Sequence, residues 1–158
     1  MYSNRSAFQK WQIVPRMLRD VSKRDLSISL LEKQYTSPLL LCPIGVLELA
    51  HPEADLAVAK AAADLNVPMI VSNQASKSME VIAETVPKAA RWFQLYWSKS
   101  NELISSFVRR AEAAEYEAIV VTLDTNILGW RTRDLDLAYL PFLQGKGIAQ
   151  YVSDPVFQ

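Results

Sequence analysis

After residue 37 the chain shows four short apolar runs, each closed by a small polar tip, with a segment of helical periodicity between each run and the next. Pro38-Leu39-Leu40-Leu41-Cys42-Pro43, Val67-Pro68-Met69-Ile70-Val71, Arg91-Trp92-Phe93-Gln94-Leu95-Tyr96 and Ala118-Ile119-Val120-Val121-Thr122-Leu123 are the apolar runs. Near-continuous apolar strands of this length are what a parallel sheet covered on both faces requires. Between them, Glu53 to Leu65, Ser78 to Glu84 and Asn101 to Tyr116 place apolar residues at helical spacing, with Ser76 or Ser78 as candidate cap of the second. The runs begin 24–29 residues apart, a spacing suited to successive βα units with short loops. Four such units make an α/β fold equal to half of an eight-unit TIM barrel, whose full length is typically about 250 residues.

The strand tips carry the functional signal. The runs end in Pro43-Ile44-Gly45, Ser72-Asn73-Gln74, Gln94-Leu95-Tyr96 and Thr122-Leu123-Asp124. Polar groups therefore gather at the C-terminal strand ends, where barrels and open α/β sheets bind their ligands. Gln94 and Tyr96 alternate on one side of an apolar strand, and inward polar groups are costly without partners. Beyond Thr125 the alternation stops. Residues 126–158 combine Arg131 and Arg133 with Trp130, Tyr139, Phe142 and Tyr151, and read as a long ordered excursion that serves as a lid or a subunit contact.

Composition removes several function classes. Seventeen basic and seventeen acidic residues cancel, so no overall charge recommends a nucleic-acid partner. Residues 1–33 hold seven Lys/Arg against three Asp/Glu, which suits a flank lying against an acidic remainder; Trp11, Ile13, Val14 and Leu18 read there as packing residues. One cysteine, Cys42, and one histidine, His51, exclude an internal disulfide and a His/Cys zinc cluster within the chain. A reducing, cytoplasmic setting is the expectation, mitochondrial or peroxisomal placement staying open, and no apolar run is long enough to suggest a membrane span. No Gly-x-Gly-x-x-Gly follows a strand and no Gly-x-Ser-x-Gly occurs, which argues against a Rossmann nucleotide site and a Ser-His-Asp hydrolase.

A set of short motifs in fixed order goes further. Asn4-Arg5-x-Ala7-Phe8, Pro15-Arg16-x-Leu18-x-Asp20-Val21, Pro43, Ala50-His51-Pro52-Glu53, Phe93-Gln94-Leu95-Tyr96 and Thr122-x-Asp124-Thr125 with Gly129-x-Arg131 together resemble the FMN-dependent α-hydroxy-acid oxidoreductases. The stretch Gly129-Trp130-Arg131-x-Arg133-Asp134-Leu135, with Tyr151-x-Ser153-Asp154-Pro155-Val156-Phe157, is most similar to the lactate 2-monooxygenase branch. The resemblance implies FMN as cofactor, a small lactate-like 2-hydroxy acid as substrate, oxygen as acceptor and a homo-oligomer as a possible assembly. It implies that the backbone of Pro43, Ile44 and Gly45 lies along the flavin, that Ser72, Gln94 and Thr122 bond its polar rim, that Tyr96 meets the substrate hydroxyl, and that Arg131 pairs with the substrate carboxylate.

Two substitutions depart from the family pattern: Ile44 replaces a common Thr, and Asn73-Gln74 a Ser-Trp pair. His51 is the single histidine, yet it opens a helix, where capping is the natural duty. The family's catalytic histidine belongs to a Ser-Asn-His-Gly motif that does not occur here, and its phosphate site and an active-site tyrosine upstream of Asn4 are also unmatched. The expectation is thus an incomplete domain over residues 1–158, with a flank at 1–37, βα units at 38–125 and a loop segment at 126–158. Its isolated chain would lack the base and be inactive. The alternatives are a non-catalytic truncated fragment or a half-barrel interaction module.

Overall fold

The computed structural model describes residues 2–125, 127 and 129–158. A helix, α1 (Tyr2–Phe8), precedes a long irregular stretch and a hairpin of β1 (Ile28–Leu30) and β2 (Lys33–Tyr35). The hairpin turns at Leu31 and Glu32, with φ of 50° and 63°. Two consecutive positive φ values match the twist of a two-residue hairpin, and neither residue is of the Asn-Gly type that would announce it.

The chain then enters α2 (Ala54–Asp64), β3 (Met69–Val71), α3 (Met79–Thr85), β4 (Arg91–Tyr96), α4 (Asn101–Ala113) and β5 (Ala118–Thr122). The three strands are parallel and lie in the order β3-β4-β5, each joined to the next by a helix. Six of the seven expected segments, three strands and three helices, match in place and type. Ser78, one of the two candidates, caps α3 by accepting from the Val81 N–H, and Ser100 caps α4 through the Leu103 N–H.

The first apolar run does not form a full strand. It contributes one parallel bridge, Leu41 to Met69, at the outer edge of β3, and Leu39 is 66% exposed. With a neighbour on one side only, residues 38–43 gain half the ladder that an interior strand gains. The expected packing role of Trp11, Ile13, Val14 and Leu18 is overturned: they are 83%, 97%, 81% and 104% exposed. Apolar character records what a segment could bury, and no described element covers this one.

Side-chain alternation divides the sheet. Phe93 and Leu95 point to the helices and are buried with Met79, Ile82, Leu103, Phe107 and Ala111. Phe93 meets Phe107 and Tyr116 edge-on, with ring centres 6.3 and 6.1 Å away. Trp92, Gln94 and Tyr96 therefore share the opposite, concave face. At the strand starts, Arg91 donates to the carbonyls of Val86, Ala89 and Ala114, and Glu117 accepts from Lys33 and Tyr35 of the hairpin. The polar strand tips lie at the other end.

The excursion is ordered in short pieces: α5 (Thr132–Asp136), a 3-10 turn (Pro141–Gln144) and α6 (Ala149–Val152). Its far end is fastened to the helix layer. Gln150 is fully buried, accepts from the Met79 N–H and donates to the Lys77 carbonyl. Asp154, also fully buried, accepts from Arg110 and Ser106. No helix among the described residues is long and apolar enough to cross a membrane.

Candidate active site

The strand tips form a connected polar row. The Gln94 side chain is buried on the concave face, 4% exposed. Its Oε1 accepts from Ser72 Oγ at 3.1 Å and from the Asn73 N–H at 3.3 Å, and its Nε2 donates to Thr122 Oγ1 at 2.8 Å. A backbone N–H can only donate, so the Asn73 contact sets which end of the amide faces β3. The three residues singled out for the flavin rim, one from each strand end, are thus brought together in hydrogen-bond sequence.

Asn73 was not singled out for a role, and it is fully buried. Its Oδ1 accepts from the Tyr96 N–H at 2.8 Å and holds the end of β4, while its Nδ2 has no partner among the described residues. A buried donor without an acceptor is costly, on the order of 1–3 kcal/mol, and marks a position where a ligand or water acceptor would be stabilising. Asn73 follows Ser72 in the polar tip after β3, and its place in that tip did not announce a buried side chain that holds the end of β4.

Beside the row lies a cavity of about 580 Å³, bounded by Gly45, Val46, Gln74, Tyr96 and Arg131 and walled by Leu135 and residues 138–142 of the excursion. Gly45 is closely approached: a Cβ there would stand 3.0 Å from Gln74 Cβ. Ile44 is about half exposed and Pro43 half-buried. The Val46 N–H donates to the Gln74 carbonyl at 2.9 Å, which joins the Pro43-Ile44-Gly45 turn to the loop after β3. The Arg131 side chain is 69% exposed at the cavity rim, and its one ion pair among the described residues, with Asp134 at 3.9 Å, is long and weak. Its guanidinium is free to reorient toward an anion.

His51 stands apart from this group. It is exposed in the turn before α2, and its Nδ1 accepts from the Glu53 N–H at 3.1 Å, so it closes a turn. No cluster of His, Cys, Asp and Glu that could hold a metal occurs among the described residues.

Two charged groups that sequence reasoning passed over support the site from behind. Asp55, in the first turn of α2, is fully buried and accepts from the Ser76 N–H at 2.7 Å, with Oδ1 left unpartnered. Burial pushes its carboxyl above the ordinary aspartate range, against the opposing hydrogen bonds from the backbone. Arg110 on α4 binds Glu80 at 2.7 Å, Asp154 at 2.9 Å and the Gln150 carbonyl at 2.8 Å. Burial pushes Asp154 up, but the Arg110, Val156 and Ser106 hydrogen bonds outweigh it and hold the carboxyl below its usual range. Gln150 and Asp154 flank or lie in a stretch quoted above for its resemblance, but spacing alone does not announce a buried acid.

Comparison with known proteins agrees with this geometry. The sequence pattern of the FMN-dependent dehydrogenase family matches residues 1–157. An L-lactate oxidase of Lysinibacillus sphaericus is 46% identical over 155 residues, covering 98% of this chain and 40% of the relative. The human 2-hydroxyacid oxidase 1 is 40% identical over 132 residues, covering 84% of this chain and 36% of the relative. A solved structure of mandelate oxidase superposes with a TM-score of 0.85 at 35% identity over 98% of this chain and 45% of that one. The chain therefore spans about 40% of the length of the curated relatives it matches, and its three-stranded parallel sheet with flanking helices is part of a barrel and not a closed one. From the polar row, the concave sheet and these matches together, the chain belongs to the FMN-dependent dehydrogenase family.

Proposed function

We propose that these residues supply the flavin-edge and substrate-carboxylate surface of a domain that oxidises a small, lactate-like L-2-hydroxy acid, with oxygen as the final acceptor. The observation that carries this reading is the Ser72–Gln94–Thr122 row lying beside a cavity with Tyr96 and Arg131 on its border. FMN, when bound, accepts the hydride from the substrate's α-carbon.

The donor set fits such a group. Gln94 Nε2 uses one of its two protons on Thr122, and the Thr122 hydroxyl receives that bond and keeps its own proton to give. These donors suit the carbonyl rim of a flat heteroaromatic ring. Ser72 keeps the row in register, since its hydroxyl donates to Gln94 while accepting from the Gln74 N–H at 3.0 Å. The backbone of Pro43, Ile44 and Gly45 is the surface for the ring's edge, and a bulkier residue at 45 would crowd Gln74.

In the substrate half, Arg131 pairs with the carboxylate through its planar fork and Tyr96 hydrogen-bonds the hydroxyl, which orients the α-carbon. The wall from Leu135 to Phe142 excludes water from that carbon. We assign the base that removes the hydroxyl proton to a residue outside these 158. The isolated chain is accordingly an incomplete domain, flank 1–37, βα units 38–125 and loop segment 126–158, that binds without turning over. The single exposed Cys42 suits a reducing compartment such as the cytoplasm.

Titrating the purified chain with FMN and following flavin absorbance and fluorescence tests this reading. The expected result is saturable binding that Gln94→Leu weakens tenfold or more, since the substitution strips partners from Ser72, Asn73 and Thr122 together. Arg131→Met is expected to leave flavin binding intact and to abolish lactate-dependent perturbation of the flavin spectrum. A chain that takes up no FMN, or a Gln94→Leu chain that binds as the parent does, would sink the proposal. A half-barrel interaction module is the second reading, favoured by the outer edge of β5, which is unpaired among the described residues.

A further inference from the structure

The turn at the cavity floor and the far end of the excursion meet at one point. Val46 has φ 55° and ψ 42°, a left-handed conformation that β-branched residues rarely adopt. Something outside the turn must hold it there. Gly147 packs directly on it: a Cβ at 147 would lie 2.5 Å from Val46 Cγ2 and 3.0 Å from the Gln74 carbonyl oxygen, and its φ of 67° is itself left-handed. Val46 and Gln74 both line the cavity. The contact therefore joins the cavity floor to the segment that follows the wall.

Hydrogen bonds run through the same point. The Gly147 N–H donates to Glu48 Oε1 at 3.1 Å, the Glu48 N–H to Ser76 Oγ at 3.2 Å, and the Ser76 N–H to the buried Asp55 carboxylate at 2.7 Å. Two residues after Gly147, the Ala149 N–H donates to the Ala75 carbonyl. The excursion is thus fastened to the loop after β3 through Ala149 and Gln150, and the turn after Gly45 reaches it through the side chain of Glu48.

We propose that Glu48 is a positioning residue whose carboxylate clasps Gly147 and so sets how closely the wall from Leu135 to Phe142 stands over the Val46–Gln74 floor. Because that wall is mostly apolar, the clasp fixes the room left for the side chain of a bound acid. The identity of the occupant rests on the function proposed above; the clasp does not.

Amide hydrogen exchange on the 158-residue chain decides the clasp. Glu48→Ala is expected to speed exchange at Gly147 and across residues 138–147 by roughly tenfold or more, as loss of a hydrogen bond to a charged acceptor would. Glu48→Gln keeps an acceptor oxygen and is expected to restore most of the protection. Protection in β3, β4 and β5 is expected to stay at the parent level in both, which a general loss of stability would not allow. Unchanged exchange at Gly147 in Glu48→Ala, or equal acceleration throughout the sheet, overturns the proposal. A second readout uses 2-hydroxyoctanoate against lactate in saturation-transfer NMR: Glu48→Ala is expected to change the affinity for the longer acid at least threefold more than that for lactate. If neither acid binds the parent chain, the function proposed above fails, and the exchange result alone decides for or against the clasp.

Discussion

Asp154→Ala should lower the unfolding free energy of the chain by about 3–5 kcal/mol, because removing one partner of a buried ion pair leaves the other charge uncompensated. Asp154 has no exposed surface, and Arg110 faces it with a side chain only 14% exposed. Glu80 on the opposite flank of Arg110 is 41% exposed and cannot make up the loss, since a solvated pair contributes little. The change also removes the acceptor for Ser106 and for the Val156 N–H. Urea unfolding of parent and variant measures the difference, and a loss under about 1 kcal/mol would show that the Arg110 cluster is not what fastens the C-terminal segment.

The same cluster sets an acid limit. Both Glu80 and Asp154 are held below their ordinary ranges: burial raises each, and hydrogen bonds headed by that from Arg110 more than reverse it. A depressed carboxyl stabilises the fold above its unfolded pKa, near 4 for a free carboxyl, and the contribution is lost as pH falls through the lower folded value. Asp55 works in the opposite sense. Its pKa is raised by burial, so its contribution is complete below the ordinary value and fades as pH rises through the raised one. Asp154→Asn is therefore expected to flatten the acid side of a stability-against-pH profile, and Asp55→Asn the limb above it. Profiles that leave both limbs unchanged would contradict these assignments.

Phe107→Ala is the second large effect, also about 3–5 kcal/mol, the usual cost of truncating a buried phenylalanine. Phe107 is 1% exposed and edge-on to Phe93 of β4 on one side and to Tyr151 of α6 on the other, at 6.3 and 5.2 Å between ring centres. Tyr151 in turn meets Phe157 at 5.3 Å. One ring thus joins the sheet core to the segment that fastens the excursion, so the variant should lose α6 protection as well as global stability. Phe107→Leu, which keeps most of the volume, should recover more than half of the loss in the same unfolding measurement.

The strands of the sheet were legible because each is a short apolar run closed by a polar tip; β4 occupies the same six residues in sequence and structure. Residues 38–43 carried the same signal and form only a bridge, because apolarity says nothing about how many neighbours a strand will find. The hairpin escaped notice since three-residue strands show no measurable alternation and Leu31-Glu32 is not a recognisable turn pair. Within the site, the polar strand tips could be read because tips of parallel strands converge, and the family resemblance singled out Ser72, Gln94 and Thr122 among them. Asn73, Asp55 and Gln150 could not, since each matters through partners 21 to 73 residues away, and local pattern carries no such distance.

Arg91 has a wider consequence. From the first position of β4 its guanidinium gathers carbonyls at the ends of α3 and α4, while Glu117, just before β5, holds the hairpin. One rim of the sheet is riveted and the other is left to its loops. Exchanging the segments that bear Gln74 or Arg131 for others of similar length would leave the rivets untouched, so chemistry at the working rim can drift while the frame keeps its shape.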